Sequence, residues 1–97
     1  MSDARLDRVG PVLEHGEIAR AIIAAIRESN AEVEVLDRGA YLRVLVPGRC
    51  VMPRAAVEQS LGRPFVMPGD LEAVMPSFKG NLSLGDDEAV WEYRRRA

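Results

Sequence analysis

The sequence has few of the side chains on which most enzyme chemistry depends. Its 97 residues contain one cysteine, Cys50, and one histidine, His15. A single cysteine excludes an intramolecular disulfide, which fits a reducing compartment. A single histidine excludes histidine pairs and triads, and its distance along the chain from Cys50 weakens the case for a zinc or nucleophile site. We expect Cys50 to be a small buried hydrophobe and His15 to be an exposed residue at a helix start.

Phosphate-binding and metal-binding motifs are also missing. Neither the glycine-rich dinucleotide pattern nor the Walker pattern occurs. The densest acidic cluster, Asp86-Asp87-Glu88, is too short for a calcium loop and is typical of a solvated turn. The sequence therefore contains no recognisable enzyme machinery, and it assigns no catalytic or metal-binding residue.

Long apolar runs and a strong net charge are absent as well. The longest apolar run, residues 21–26, is far shorter than the roughly 20 residues that a membrane-spanning helix needs. Residues 1–8 lack the apolar core of a signal peptide. The net charge of −2 gives no global signature for nucleic-acid binding. We expect a cytoplasmic protein that binds neither membranes nor nucleic acids.

What is present is the patterning of one small domain. We expect it to span residues 9–93, between a flexible tail over residues 1–8 and a flexible basic end over residues 94–97. The elements run strand, helix, several strands, short helices and hairpin. This order predicts an α+β fold, a compact sandwich of mostly antiparallel strands with two main helices and one short helix.

Hydrophobic periodicity places the individual elements. Ile18, Ile22 and Ile26 predict a helix over residues 17–29, with Asn30 as its C-terminal cap. Pro11 marks residues 9–13 as an edge strand or extended segment. Further strands are expected over residues 33–36, 41–46 and 49–52. The remaining elements are a helix opened by Pro53 and ended by Gly62, a short helix over residues 71–75 capped by Asp70, and a hairpin of residues 78–84 with residues 89–93.

Two stretches suggest a division between core and surface. In residues 41–46, Leu42, Val44 and Val46 alternate with a mixed face of Tyr41, Arg43 and Leu45, which suggests a partly covered sheet surface. Residues 61–80 combine prolines and glycines with large apolar side chains, a pattern typical of an ordered, irregular connection that carries binding function. We expect Phe65, Phe78 and Trp91 to lie in the core.

The same region resembles a known family. The stretch reads Gln59-Ser60-Leu61-Gly62-Arg63-Pro64-Phe65, then Asp70-Leu71-Glu72, then Pro76-Ser77-Phe78-Lys79-Gly80. With residues 9–13 and 37–44 it resembles the small effector proteins of bacterial soluble di-iron monooxygenases. These are the regulatory or coupling components of phenol hydroxylases, of toluene and alkene monooxygenases and, more distantly, of methane monooxygenase. The order and spacing of the motifs, from about residue 9 to residue 93, carry the resemblance.

The resemblance implies a protein that has no cofactor and catalyses nothing itself. Such a protein docks on the hydroxylase component above its di-iron site. It tunes the active site, gates substrate and oxygen, and couples electron transfer to the hydroxylation of a hydrocarbon or aromatic substrate. It also competes with a ferredoxin or reductase for the hydroxylase surface. The tail before Val9 is much shorter than in the methane monooxygenase component, so a role for a long tail is not carried over.

We expect the partner-binding face to come mainly from residues 71–81, with residues 61–65 anchoring the second helix to the core. Ser77, Lys79 and Asn81 fall on the wet face of their strand, and methionines supply adaptable apolar contact or, equally, pack in the core. The candidate partner-binding residues are Arg43, Arg49, Met52, Leu71, Met75, Ser77, Lys79 and Asn81.

Three other interpretations stay open at this point. The chain could be a small-ligand carrier with a cavity between sheet and helices. It could be a nucleic-acid-binding domain that uses Arg94, Arg95 and Arg96. An enzyme of unknown class is the third, and activity of the isolated chain would support it.

Overall fold

The computed structural model describes residues 7–93 and confirms the predicted α+β fold of mainly antiparallel strands. Met1–Leu6 and Arg94–Ala97, which include most of the expected tail and the arginine run, lie outside the described residues. The elements are β1 (Arg8–Glu14), α1 (Glu17–Ser29), β2 (Glu34–Asp37), β3 (Tyr41–Pro47), β4 (Arg49–Pro53), α2 (Arg54–Leu61), α3 (Gly69–Glu72), β5 (Ser77–Lys79), β6 (Asn81–Leu84) and β7 (Glu88–Glu92).

The strands form two antiparallel sheets. One has four strands in the order β2-β3-β1-β5, and the other has three in the order β4-β7-β6. Arg8, just before the expected start of the domain at residue 9, belongs to β1, and the carbonyl of Asp7 accepts a hydrogen bond from the N–H of Gly48 at 2.9 Å. Within the described chain, no helix combines the length and the hydropathy that crossing a bilayer requires.

The first helix confirms the pattern that predicted it. Ile22 and Ile26 are fully buried on the stripe that faces the core. At its end, the Asn30 side chain donates to the carbonyls of Ile26 and Val51, both at 2.8 Å, and accepts from the N–H of Val51 at 3.0 Å. One amide therefore caps α1 and also satisfies the backbone of β4, because a carboxamide offers the same donor and acceptor as a peptide group.

The two later helices differ in how well they were predicted. Gly62 ends α2 in the left-handed conformation, with φ 79°, and its N–H donates to the carbonyl of Glu58 at 2.8 Å, as expected. The short helix is α3 (Gly69–Glu72), which begins two residues and ends three residues earlier than predicted. Asp70 lies inside it rather than at its cap, and its carboxylate instead accepts from the N–H of Val66 at 2.7 Å.

The prediction that β1 is an edge strand is wrong. It lies between β3 and β5, and Pro11 is buried. Its pairing with β3 runs through Val9–Val46 and resumes at Val12–Arg43. Pro11 falls in the gap between these pairs, where its missing N–H costs no ladder hydrogen bond.

The predicted strand over residues 78–84 is divided between the two sheets. Gly80, with φ 105°, separates β5, which pairs with β1, from β6, which forms the expected hairpin with β7. Phe65 and Trp91 are buried as predicted, whereas Phe78 is 44% exposed, so its assignment to the core is wrong. Phe78 lies on a three-residue edge strand, where only one side has a neighbouring strand.

Gly10 is the tightest point of this arrangement. Its φ is 150°, and a Cβ atom there would lie 2.2 Å from the carbonyl oxygen of Val44 on β3. That distance is far inside van der Waals contact, and the oxygen belongs to the backbone of a paired strand, so it has little room to move.

We predict that Gly10→Ala destabilises the fold by at least about 3 kcal/mol, because backbone strain and overpacking add. Gly39→Ala is the matched control, since Gly39 has φ 83° but nothing within 4 Å of its Cβ position. It should cost only about 1 kcal/mol. Urea unfolding followed by the fluorescence of the buried Trp91 measures both values. Equal midpoints for the two variants would contradict the steric argument.

Candidate functional site

The four-stranded sheet has one buried face and one accessible face. The buried face carries Leu42, Val44 and Val46 of β3, which join the helices in the core. The accessible face, called the outer face below, alternates with it and carries Leu36, Tyr41, Arg43, Leu45, Val12, Ser77 and Lys79. The mixed face predicted for residues 41–46 is therefore the surface of this sheet.

Strand register brings the central residues of the outer face into rows. Arg43 pairs with Leu36 on one side and Val12 on the other, and Val12 pairs in turn with Ser77. One row therefore crosses all four strands. Lys79 stands beside this row, opposite Gly10.

A groove of about 430 Å³ lies over these strands. It brings together three of the residues predicted from the sequence, Arg43, Ser77 and Lys79, and Tyr41 of the outer face lines it as well. Phe78 also lines it, between Ser77 and Lys79 in β5. The other lining residues are Gly10, Pro11, Val12, Val44, Leu45 and Pro76. The groove is thus basic and apolar at once, and it lies on the outside of the sheet rather than between sheet and helices.

A second depression, of about 410 Å³, lies on the same face and shares Leu45 with the groove. Arg8 and Glu34 form an ion pair there, reaching across β3 from the strands on either side of it. Leu36 and Leu45 line the depression together with this ion pair. The positive charge of Arg8 is therefore balanced by Glu34, whereas Arg43 and Lys79 in the groove form no ion pair with the residues that the structure describes.

The structure separates Arg49 and Asn81 from the groove. Both belong to the three-stranded sheet, where they flank Glu92 in one row. The guanidinium of Arg49 lies 3.8 Å from the carboxylate of Glu92, and both side chains are more than half exposed. These two residues are accessible, but they do not line the groove.

Three of the predicted partner-binding residues are not at the surface. Met52 and Leu71 are fully buried, and Met75 is 9% exposed. Met52 lies beside Ala89 on the buried side of its sheet, and all three belong to the same core cluster. The expectation that they are exposed is corrected, because the face of each segment that carries them packs inward.

The aromatic and aliphatic walls of the groove were missed as site residues. Tyr41 and Leu45 alternate with the buried residues of β3, so the sequence carried a signal for them. Phe78 carried a misleading signal, because its alternation with Leu82 and Leu84 holds only if the strand continues through Gly80.

The described residues offer little for catalysis. No group of three or more histidine, cysteine or acidic side chains is placed to hold a metal ion between residues 7 and 93. Cys50 is fully buried, and this burial raises the pKa of its thiol to about 12. It is a neutral core residue at physiological pH, as predicted.

The single histidine, between β1 and α1, contacts the end of β2. The Nε2 atom of His15 lies 3.1 Å from a carboxylate oxygen of Asp37, and the N–H of Gly39 donates to the same oxygen at 2.9 Å. These contacts, the Gly39 N–H first and His15 second, lower the pKa of Asp37. Nearby, Arg63 donates to Glu17 at 2.9 Å, and this hydrogen bond lowers the pKa of Glu17. Both pairs are exposed, so they orient loops and add little stability.

Comparison with known proteins gives a consistent result. The sequence profile of the MmoB/DmpM family matches residues 7–92. The effector subunit of the alkene monooxygenase system of Xanthobacter autotrophicus is 43% identical over 101 aligned positions, which cover 97% of this chain and 99% of that protein.

Solved structures share the fold. A chain in a phenol hydroxylase–regulatory protein complex superposes with a TM-score of 0.78 at 24% identity, over 90% of this chain and 98% of that chain. A second such complex gives 0.75 at 26% identity, over 89% and 99%. The α+β fold with its two antiparallel sheets is thus the fold found in these complexes. The chain belongs to the MmoB/DmpM family, and the resemblance to monooxygenase effector proteins is confirmed.

We predict that Cys50 reacts with an aromatic disulfide reagent at least about a thousandfold more slowly in the native protein than in urea, because reaction requires opening of the core. The measurement is absorbance of the released thiolate at neutral pH. Prompt labelling of the native protein would contradict the burial of this thiol.

We predict that His15→Ala raises the pKa of Asp37 part of the way to its ordinary value, since the Gly39 N–H remains. The folded pKa of Asp37 is depressed, so its contacts stabilise the fold fully above the unfolded pKa. That contribution is lost as the pH falls through the folded pKa. A carboxyl-carbon NMR titration of wild type and variant measures the change, and identical curves would show that His15 contributes nothing.

Proposed function

We propose that this protein is the effector subunit of a multicomponent di-iron monooxygenase, which binds the hydroxylase component and tunes it. The observation that carries the proposal is the 43% identity, over almost the full length of both chains, to the effector subunit of an alkene monooxygenase system. The chains of similar fold in complexes of phenol hydroxylase with a regulatory protein support a hydroxylase as the partner.

A protein of this kind works through binding energy alone. It shifts the hydroxylase between conformations only if it binds one of them more tightly. In the proposed mechanism, docking favours the conformation that admits substrate and oxygen and accepts electrons for hydroxylation. The effector itself then holds no reacting atom, and the pocket of the hydroxylase sets which hydrocarbon or aromatic compound is oxidised.

The outer face is the part of the chain best suited to this docking. Arg43, Ser77 and Lys79 converge on its groove, beside half-buried aliphatic side chains. Arg49 and Asn81 are proposed as additional contacts from the neighbouring sheet, since both are accessible. Interfaces of this type combine apolar area with a few oriented polar groups.

We also propose that the effector competes with the electron donor, a ferredoxin or reductase, for the surface of the hydroxylase. Two proteins that act on the same buried iron site have a limited surface through which to reach it. Competition predicts an optimum in effector concentration, because an excess of effector excludes the donor. This proposal places the protein with its soluble partners in the cytoplasm.

Reconstitution tests the proposed function. Hydroxylase from the same host is combined with its electron donor, with and without this protein, and product is measured per reductant consumed. The ratio should rise on addition of the protein and turnover should fall again at large excess. An unchanged ratio at all concentrations would refute the effector role, and a rise without the later fall would refute only the competition.

We predict that the triple variant Ser77→Ala/Lys79→Ala/Asn81→Ala needs about tenfold more protein for half-maximal activation, because it removes two polar groups of the groove and one from the neighbouring sheet. The matched control is Gln59→Ala/Ser60→Ala/Arg20→Ala, which removes the same kinds of group from exposed helix positions. Circular dichroism checks that both variants fold. Equal activation curves for the two triple variants would place the docking surface elsewhere.

A further inference from the structure

The groove on the outer face holds two cations that lack a counter-ion in the described part of the chain. Arg43 and Lys79 are both half-buried, and neither takes part in an ion pair among residues 7–93. Four other arginines do have carboxylate partners there: Arg8, Arg49, Arg54 and Arg63. The groove is therefore a place where positive charge is partly desolvated without compensation.

Partial burial of a charge is unfavourable unless the charge is paired. A carboxylate entering the groove would supply the missing partner and form charge-assisted hydrogen bonds, the stronger class of hydrogen bond. The occupant that the groove fits best is therefore one with an acidic group.

The walls of the groove specify what surrounds that acidic group. On the outer face Tyr41 is 38% exposed, and Val12 and Leu45 are half-buried beside it. Exposed aromatic rings of this size gain most when an apolar side chain covers them. The complementary surface is thus a carboxylate flanked by apolar side chains.

The two cations are spaced so that they can act together. They stand on β3 and β5, with β1 between them, so their strands are roughly 10 Å apart. Long side chains can lean toward each other over that distance. Gly10, opposite Lys79, has no side chain to fill the space between them.

We propose that the groove takes an acidic segment of the hydroxylase, with an Asp or Glu side chain seated between Arg43 and Lys79 and its apolar neighbours on Val12 and Tyr41. This inference rests on the proposed function and adds the chemistry of the docked segment. The cations thereby orient the effector on its partner as well as attracting it.

A nucleic-acid strand fits the same surface poorly. Glu14 and Glu34 occur at outer-face positions of β1 and β2, and the chain as a whole carries a net charge of −2. A polyanion that followed the sheet would meet these carboxylates, whereas a single acidic side chain between apolar neighbours would not.

Charge reversal provides the first test. Arg43→Glu and Lys79→Glu should each raise the concentration of effector for half-maximal activation of the hydroxylase by about tenfold or more. Arg20→Glu makes the same charge change at an exposed position on α1, outside the groove, and should shift it less than about twofold. Raising the salt concentration should weaken activation by the wild type more than activation by either groove variant.

The outcomes separate this inference from the function on which it rests. If the wild type does not activate the hydroxylase, the proposed function fails. If the wild type activates and the groove variants match Arg20→Glu, only the acidic-segment proposal fails. Salt-sensitive binding of an oligonucleotide that Arg43→Glu abolishes, with hydroxylase binding intact, would also overturn it.

Lys79 allows a second, direct test because it is the only lysine in the sequence. A water-soluble carbodiimide should join its Nζ atom to a carboxylate of the hydroxylase through an amide bond, and mass spectrometry of the digested product locates that carboxylate. Lys79→Arg keeps the charge but cannot form this amide, so it should retain activation and lose the cross-link. A wild-type complex that gives no cross-link through Lys79 would contradict the proposal.

Discussion

The close approach of β1 to β3 at Gly10 is the constraint on which the rest of the structure depends. Only a residue without a Cβ atom fits there, since that atom would meet the Val44 carbonyl oxygen at 2.2 Å. β1 pairs with β3 and β5 and also contacts β4 and β7, so its path fixes how the two sheets meet. Gly80 plays the corresponding role at the next crossing, where a Cβ would lie 2.7 Å from the Cγ1 atom of Val9. Gly10 also lines the groove that carries Arg43 and Lys79.

Much of the fold could be predicted because its signals are local. The isoleucine repeat defined α1 from Glu17 to Ser29, and Gly62 marked the end of α2, since each depends on neighbours within one or two helical turns. The central position of β1 could not be predicted from local signals. A proline usually marks an edge strand, and Pro11 is an exception only because it falls in a gap in the pairing of β1 with β3, which is distant in sequence. The break at Gly80 was hidden for the same reason, since alternation alone does not show that a strand changes sheet.

The alternation of side chains along a strand shows which of them are exposed, and this much of the candidate site could be predicted. Arg43, Ser77 and Lys79 were identified correctly as accessible, because polar side chains opposite a buried face remain in water. Met52, Leu71 and Met75 were included among the candidate partner-binding residues, but they are buried. An apolar side chain suits either a core or an interface, and only packing decides between them. Whether Arg49 and Asn81 share the docking surface depends on how the partner spans two sheets, which no pattern within this sequence encodes.

NMR of the ¹⁵N-labelled protein, residue by residue, tests most directly whether the outer face is where the hydroxylase binds. On addition of hydroxylase, cross-saturation from the partner should concentrate on the residues of β1, β3 and β5 that line the groove, including Arg43, Ser77 and Lys79. The exposed side of α1, around Arg20 and Arg27, should remain unaffected. Saturation confined to α1 and α2, with the groove residues unchanged, would contradict the assignment of the outer face as the docking surface.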